Sequence, residues 1–363
     1  MRILVVKLSS LGDVVQTMPV VADILQVHPD AQIDWVVEEA FAPLVERVQG
    51  IHEVIPVAQR RWRKARFDPV NRQEKAVFTT ALKANRYDAV IDFQGLIKSA
   101  VVARQAVLAP GGFRATYANG SEACGYEWPV RFMVNRPIPM ARRIHAVARY
   151  RSLAAQALGY EVTGPATANL QVKGVRLPRT VVFAHGTTRL DNEWPADRWI
   201  SLGRQLISQG FQIALPQSSE TELALCQRIA MALNDSSEQG EFVDTSTHTE
   251  FTSSITSPLP LDQFENDASV VVWPRMSLAH LMDQMAGAAG VVGVDSGLSH
   301  LAVALDLPHV QIFSQPRVWR AGPVGQLHQL AVGGDMAPDV PAVWQAWQTV
   351  WSARPRPASA QNS

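Results

Sequence analysis

Short apolar runs rich in β-branched residues alternate with helix-length amphipathic segments through both halves of the chain. This alternation restricts the fold more than any other feature. In the first half the runs fall near 2–7, 33–38, 53–57 and 88–92, with helical periodicity over roughly 14–28, 40–48 and 72–85. In the second half they fall near 180–185, 211–215, 290–295 and 309–314, with helices near 195–209, 219–233, 277–287 and 298–305. Runs that are apolar at consecutive positions belong to strands covered on both faces, so the pattern predicts parallel sheets packed between helices. Such sheets bind ligands at the carboxyl ends of their strands, where the crossovers diverge. The expected class is α/β.

With 363 residues the chain has room for two such units. Weak periodicity across 161–178, with Gly164, Pro165, Gly174 and Pro178, marks a connector and divides the chain into domains 1–165 and 178–333. Residues 235–267, rich in Ser, Thr and acidic side chains, read as a surface insertion. Val343, Trp344, Trp347, Val350 and Trp351 recur at helical spacing, so 339–352 is expected to be a docked helix, followed by a loose tail over 354–363. No apolar run approaches the ~18 residues needed to cross a bilayer. Lys7 and Asp13 interrupt the apolar N-terminus, which argues against a signal peptide. Cys124 and Cys226 lack metal-ligand spacing and are expected to be reduced thiols, in keeping with a cytoplasmic protein.

Three strand-to-helix corners carry polar residues at the ends of expected strands. In Lys7-Leu-Ser-Ser-Leu-Gly-Asp13, hydroxyls, Gly12 and a carboxylate follow a buried strand, and a helix begins directly behind them. Such a corner offers free backbone N–H groups to an anionic or polar ligand and puts Asp13 where a general base can act. His185-Gly-Thr187-Thr188-Arg189 forms the second corner and leads to Pro195, a good first residue for a helix. Asp295-Ser296-Gly297-Leu298-Ser299-His300 is the third; Gly297 lets backbone approach a ligand, and the helix start suits a diphosphate. Each also has a plainer reading: Asp295-Ser296 as an ordinary N-cap, His300 as a satisfied histidine, Thr187-Thr188 as loop. The set of corners in two α/β halves raises the functional reading. G-x-G-x-x-G and G-x-x-x-x-G-K-[ST] are both missing, which disfavours dinucleotide and P-loop chemistry.

Lys plus Arg and Asp plus Glu each total 33, so global charge does not point to nucleic acid. Charge is concentrated locally in Arg60-Arg61-Trp62-Arg63-Lys64-Ala65-Arg66-Phe67. This run serves equally as a solvated face or as a patch for phospholipid headgroups or a phosphorylated glycolipid; Trp62 and Phe67 tilt it toward an interface.

Taken in order, Lys-x-Ser-Ser-x-Gly-Asp at 7–13, Trp35-Val-Val-Glu38-Glu39, the run 60–64, Asp92-Phe-Gln-Gly95-Leu-Ile-Lys98-Ser99, His185-Gly-Thr-Thr188 and Asp295-Ser-Gly-Leu-Ser-His300 resemble the lipopolysaccharide heptosyltransferases. Within that family the likeness is greatest to the members that add the first heptose of the inner core, and it covers roughly 1–330 apart from 235–267. The resemblance implies a GT-B architecture, with two facing Rossmann-like domains, parallel sheets and a cleft between them. It implies inverting, metal-independent transfer of L-glycero-D-manno-heptose from ADP-heptose to Kdo of Kdo2-lipid A, without a cofactor, on the cytoplasmic face of a Gram-negative inner membrane. By the same resemblance Asp13 is the general base. Thr187, Thr188, Asn192, Glu222, Met276, Asp295, Ser296, Gly297, Leu298 and His300 bind the donor; Ser10, Gly12, Arg60, Arg61, Arg63, Lys64, Lys7 and Lys98 face the acceptor. One departure stands out: Asn192 occupies a position where close members carry a lysine, so another cation such as Arg189 substitutes, or the donor differs. Two alternatives remain at this point: transfer to a later core sugar or from another nucleotide-heptose, and a non-catalytic nucleotide-binding protein held at the membrane surface.

Overall fold

The computed structural model describes residues 1–65, 68–234 and 269–355; the 235–267 segment, Arg66, Phe67 and the tail beyond 355 lie outside the described residues. The N-terminal half runs β1 (Arg2–Val6), α1 (Leu11–Thr17), α2 (Pro19–Val27), β2 (Gln32–Glu38), α3 (Ala42–Val45), β3 (Ile51–Val57), α4 (Gln59–Lys64), α5 (Pro69–Lys83), β4 (Arg86–Asp92), α6 (Ile97–Gln105), β5 (Val107–Tyr117), β6 (Arg136–Ile138) and α7 (Ala146–Leu158). The C-terminal half runs β7 (Leu177–Ala184), α8 (Ala196–Ser208), β8 (Gln212–Leu215), α9 (Glu220–Asn234), β9 (Val270–Val272), α10 (Leu278–Ala286), β10 (Ala288–Val294), α11 (Gly297–Ala304), β11 (His309–Phe313), α12 (Val318–Ala321), β12 (Gln329–Gly333) and α13 (Val340–Ser352).

The two six-stranded sheets are ordered β3-β2-β1-β4-β5-β6 and β12-β11-β10-β7-β8-β9. Renumbered from its own first strand, the second sheet repeats the 3-2-1-4-5-6 order of the first, the doubly wound Rossmann arrangement. Strand order reverses between β1 and β4 in one lobe and between β7 and β10 in the other. Ile3 to Val6 and Val291 to Val294 are buried throughout, as central strands of parallel sheets must be. The two lobes form the GT-B architecture.

Several boundaries differ from the sequence expectation. The single helix expected over 14–28 is two, because Pro19 starts a new helix at its first position and Met18 serves as the cap between them. Asp13 consequently lies inside the first turn of α1. β5 carries Pro110-Gly111-Gly112 within it; the register on β4 shifts between Tyr87 and Ala89, which accommodates this turn-like sequence as a bulge. Trp62, expected at an interface, is 8% exposed: it packs edge-on against Phe78 and its Nε1 donates to Glu74 at 2.8 Å.

One apolar core runs through both lobes, including Val14, Val15 and Met18 from one side and Leu301, Ala302 and Met285 from the other. α13 lies on the second lobe, where Trp347 and Trp351 stack and both meet Phe211 edge-on. Arg47 pairs with Asp283 across the lobes at 3.1 Å, and His145 bonds the Gly322 carbonyl at 3.0 Å. Behind these contacts lies an interlobe cavity of about 650 Å³, lined by Gln16, His145 and Arg151 on one side and Val303, Asp306 and Gly322 on the other. No helix among the described residues is long and apolar enough to cross a membrane.

Candidate active site

The β1–α1 corner is built around Asp13. Its Oδ2 accepts from the Ser10 backbone N–H at 3.2 Å and the Ser10 hydroxyl at 2.8 Å; its Oδ1 accepts from the Tyr150 hydroxyl at 2.8 Å. A carboxylate has about four lone-pair positions, so these three bonds leave one open. The Lys7 ammonium stands 3.8 Å from Oδ1 and is itself buried, donating to the Phe93 carbonyl at 3.2 Å and the Tyr150 oxygen at 3.1 Å. Burial works against the Asp13 charge, but Lys7, Tyr150 and Ser10 outweigh it and hold the carboxyl well below the usual range. Burial pushes the Lys7 ammonium down, against the pull of Asp13. Ser10 and Lys7, expected to face the acceptor, therefore direct their donors to Asp13 and its surroundings.

The loop after β4 braces this corner. Asp92 is fully buried, and burial raises its carboxyl to about 6 despite bonds from the Gln94 and Gly95 N–H groups and the Ser99 hydroxyl. Gln94 then accepts from the backbone N–H groups of Leu8 and Ser9 at 3.1 and 3.2 Å, fixing the turn that presents Asp13.

Opposite it stands the β10–α11 corner. A Cβ on Gly297 would lie 2.7 Å from the Leu11 side chain, and one on Gly12 would lie 2.6 Å from the His300 ring. The first turns of α1 and α11 thus touch through two glycines, with Gln16 reaching His300 Nδ1 at 3.3 Å. Gly12 belongs to this interlobe contact. Asp295 accepts from Gln311 at 3.2 Å and lies 3.5 Å from His300 Nε2. Burial opposes its charge, yet His300, Arg320 and Arg317 pull its carboxyl below the ordinary value. The Ser296 hydroxyl is buried, caps nothing in its own helix and makes no hydrogen bond among the described residues.

Asn192 has a definite task in this corner. It is 3% exposed and donates to the Asp295 carbonyl at 3.1 Å, joining the 187–194 loop to the start of α11. Glu222 accepts from both donors of Ser218 at 2.7 Å and presses against Gly186, beside Thr187 and Thr188. Met276, just past β9, and Leu298 pack against the shared core. Arg189 is bound in a fork to Asp191 at 3.0 and 2.8 Å, and Arg317 reaches the same carboxylate at 3.3 Å.

Two arginines overlooked in the sequence lie near Asp13, and Arg320 also acts on Asp295. Arg149 of α7 is 2% exposed, with its guanidinium 3.7 Å from the Tyr117 ring centroid, and its Nε and Nη2 make no hydrogen bond among the described residues. Arg320 of α12 feels the Cys124 thiol across the lobes, while its buried Nε is likewise unbonded among the described residues. Both feel the Asp13 charge. Buried guanidinium N–H groups without partners are costly, and an anionic group would satisfy them. On α4, Arg61 is bound to Glu39 and Glu74 at 2.9 and 2.8 Å. Arg60, Arg63 and Lys64 are exposed, and Lys98 is half-buried near Glu38. Asp34, His52 and Glu53, the described cluster with metal-like spacing, sit at the opposite, N-terminal end of the first sheet, where Arg2 pairs with Asp34 at 2.8 Å.

The family model for glycosyltransferase family 9 (heptosyltransferase) matches residues 76–239 and 260–338, well over half of the chain. The chain belongs to this family. It is 36% identical over 327 residues to lipopolysaccharide heptosyltransferase 1 of Escherichia coli K12, covering 86% of this chain and 88% of that protein. Its fold matches E. coli heptosyltransferase WaaC with ADP at a TM-score of 0.79, with 32% identity, over 96% of this chain and 100% of that one. WaaC with ADP-2-deoxy-2-fluoro heptose matches at 0.74, with 34% identity, over 95% and 98%. As a family 9 member, the chain sets its Asp13 corner and its Asp295 corner face to face.

Proposed function

We propose that this heptosyltransferase moves L-glycero-D-manno-heptose from ADP-heptose to a Kdo hydroxyl of Kdo2-lipid A, with inversion and without a metal ion, in lipopolysaccharide inner-core synthesis. The observation that carries the reading is Asp13: an ionised carboxylate with one open lone pair, set beside the first turn of α11. The likeness to relatives named as heptosyltransferase 1, and to structures holding ADP and an ADP-heptose analogue, supports the choice of donor and pathway step.

In this mechanism the acceptor hydroxyl takes the open position on Asp13. The carboxyl is a weak base, so the proton moves only as the forming C–O bond makes the hydroxyl acidic; position matters more than basicity. The departing diphosphate lies against Ser296, Gly297 and the N-terminus of α11. Arg320 supplies the cation that Asn192 does not, because Arg189 and Arg317 are engaged with Asp191. Arg149 holds an anionic group of the acceptor beside Asp13. The protein works at the cytoplasmic face of the inner membrane.

Incubating the purified protein with ADP-heptose and Kdo2-lipid A, and following ADP release and product mass, tests this. Heptosylated product at an undiminished rate in EDTA is expected. No product with this pair, but turnover with a later core acceptor or another nucleotide-heptose, overturns the assignment.

A further inference from the structure

The face that carries the exposed basic residues also carries exposed aromatic ones, at a place the sequence did not suggest. A short 3₁₀ helix over Trp128–Phe132 buries only Val130. Trp128 is 69% and Phe132 68% exposed, paired edge-to-face with centroids 6.0 Å apart, and the Arg131 guanidinium lies 5.2 Å from the Phe132 ring centroid. This turn packs against α6, whose Ile97 N–H donates to Glu127 at 2.6 Å. Ile97 and Val101, one helical turn apart, are 44% and 46% exposed. Lys98 lies between them in sequence, and its carbonyl accepts from Gln59 at 3.4 Å, which joins α6 to α4 and its exposed Arg60, Arg63 and Lys64.

α4, the start of α6 and the 128–132 turn follow the carboxyl ends of β3, β4 and β5, so they share one rim of the first sheet with the Asp13 corner. Single exposed apolar residues are ordinary, but several together bordered by cations mark an interaction surface. Indole and phenyl rings settle at the headgroup level of a bilayer, and Lys and Arg close to it are drawn to anionic lipid. Glu39 and Glu74 are paired with Arg61 and Glu122 with Arg142; Glu38, near Arg60 and Lys98, and Glu127, on the Ile97 N–H, offset only part of the charge of Arg60, Arg63, Lys64, Lys98 and Arg131.

We propose that this rim docks on an anionic lipid bilayer, with Trp128 and Phe132 entering the headgroup layer and Arg131, Lys98, Arg60, Arg63 and Lys64 on lipid phosphates. Docked this way, the protein holds its Asp13 corner at the height of a sugar attached to membrane-embedded lipid. The inference deepens the proposed function, since the benefit of docking rests on a lipid-linked acceptor, but vesicle binding is read without any substrate.

The test is sedimentation of the full chain with vesicles of phosphatidylcholine alone and of phosphatidylcholine with phosphatidylglycerol. Salt-sensitive binding to the anionic vesicles only is expected, together with a loss of about tenfold or more in the double variant Trp128→Ser/Phe132→Ser. That variant should keep the wild-type far-UV spectrum, ADP affinity and turnover on a deacylated, water-soluble acceptor. Equal vesicle binding by variant and wild type overturns the proposal. So does a dimer in the wild type that the substitutions dissolve, which would make the rim an interface between copies. If no acceptor is turned over while vesicle binding behaves as described, the functional reading fails and the docking surface stands.

Discussion

The two lobes repeat one topology and put different chemistry on it. Asp92 ends the fourth strand of the first sheet and Asp295 follows the fourth strand of the second, so they are counterparts. Asp92 is sealed in the wall, pushed up to about 6, and spends its oxygens bracing a loop. Asp295 is mostly buried among His300, Arg317 and Arg320 and is drawn down. In the first lobe the carboxylate we propose as the base comes instead from the corner after the first strand, where Lys7, Tyr150 and Ser10 keep Asp13 charged. Fold position alone therefore does not assign a role. The neighbouring charges and the lobe across the gap do.

The largest effect that sharpens this contrast is on Asp13. Asp13→Asn should lower kcat by about a thousandfold, within the range of a lost general base, while ADP binds as before. Asp295→Asn should act mainly on donor affinity. If both variants damage the same parameter, the division between lobes is wrong. Next, Arg320→Ala should raise the donor KM by about 10- to 100-fold, the worth of a hydrogen bond to a charged group, with Arg320→Lys partly restoring it. Steady-state kinetics at saturating acceptor check both.

A smaller change is expected from Tyr150→Phe. Removing one bond to the Asp13 carboxylate raises its pKa, so the acid limb of the kcat profile should move to higher pH, with about tenfold or less lost at the plateau. An unmoved acid limb would separate Tyr150 from the base. The smallest effect concerns stability. Asp92 binds its proton more tightly folded than unfolded, so its contribution is greatest below about pH 4 and declines as pH rises through about 6. Asp92→Asn abolishes that slope, and the Tm deficit of the variant should shrink between pH 4 and 7.

Much of the fold was legible because the central strands are continuous β-branched runs, and the Asp13 and Asp295 corners sit at their ends. β5 was hidden by Pro110-Gly111-Gly112, which reads as a turn unless the bulge against β4 is known. β6 and β9, three residues each, are too short to show a period. In the run 60–64 the cations and Trp62 are neighbours in sequence, yet the turn of α4 sends the indole inward and leaves the charges outside. Arg61 has partners at Glu39 and Glu74, which only the tertiary fold supplies. Arg149 and Arg320 look like ordinary helical arginines until burial and their unbonded N–H groups set them apart. For the same reason the exposed pair Trp128 and Phe132 could not be told from core residues.

The claim at the centre is that nucleophile and leaving group are handled by opposite lobes, so that attack comes from the side away from the diphosphate. The anomeric configuration of the new heptosyl linkage, read by NMR against that of the donor, reports this directly. Inversion, with no ADP released in excess of product, is the predicted result. Retention of configuration would contradict the account, because attack from the side away from the diphosphate inverts the anomeric centre.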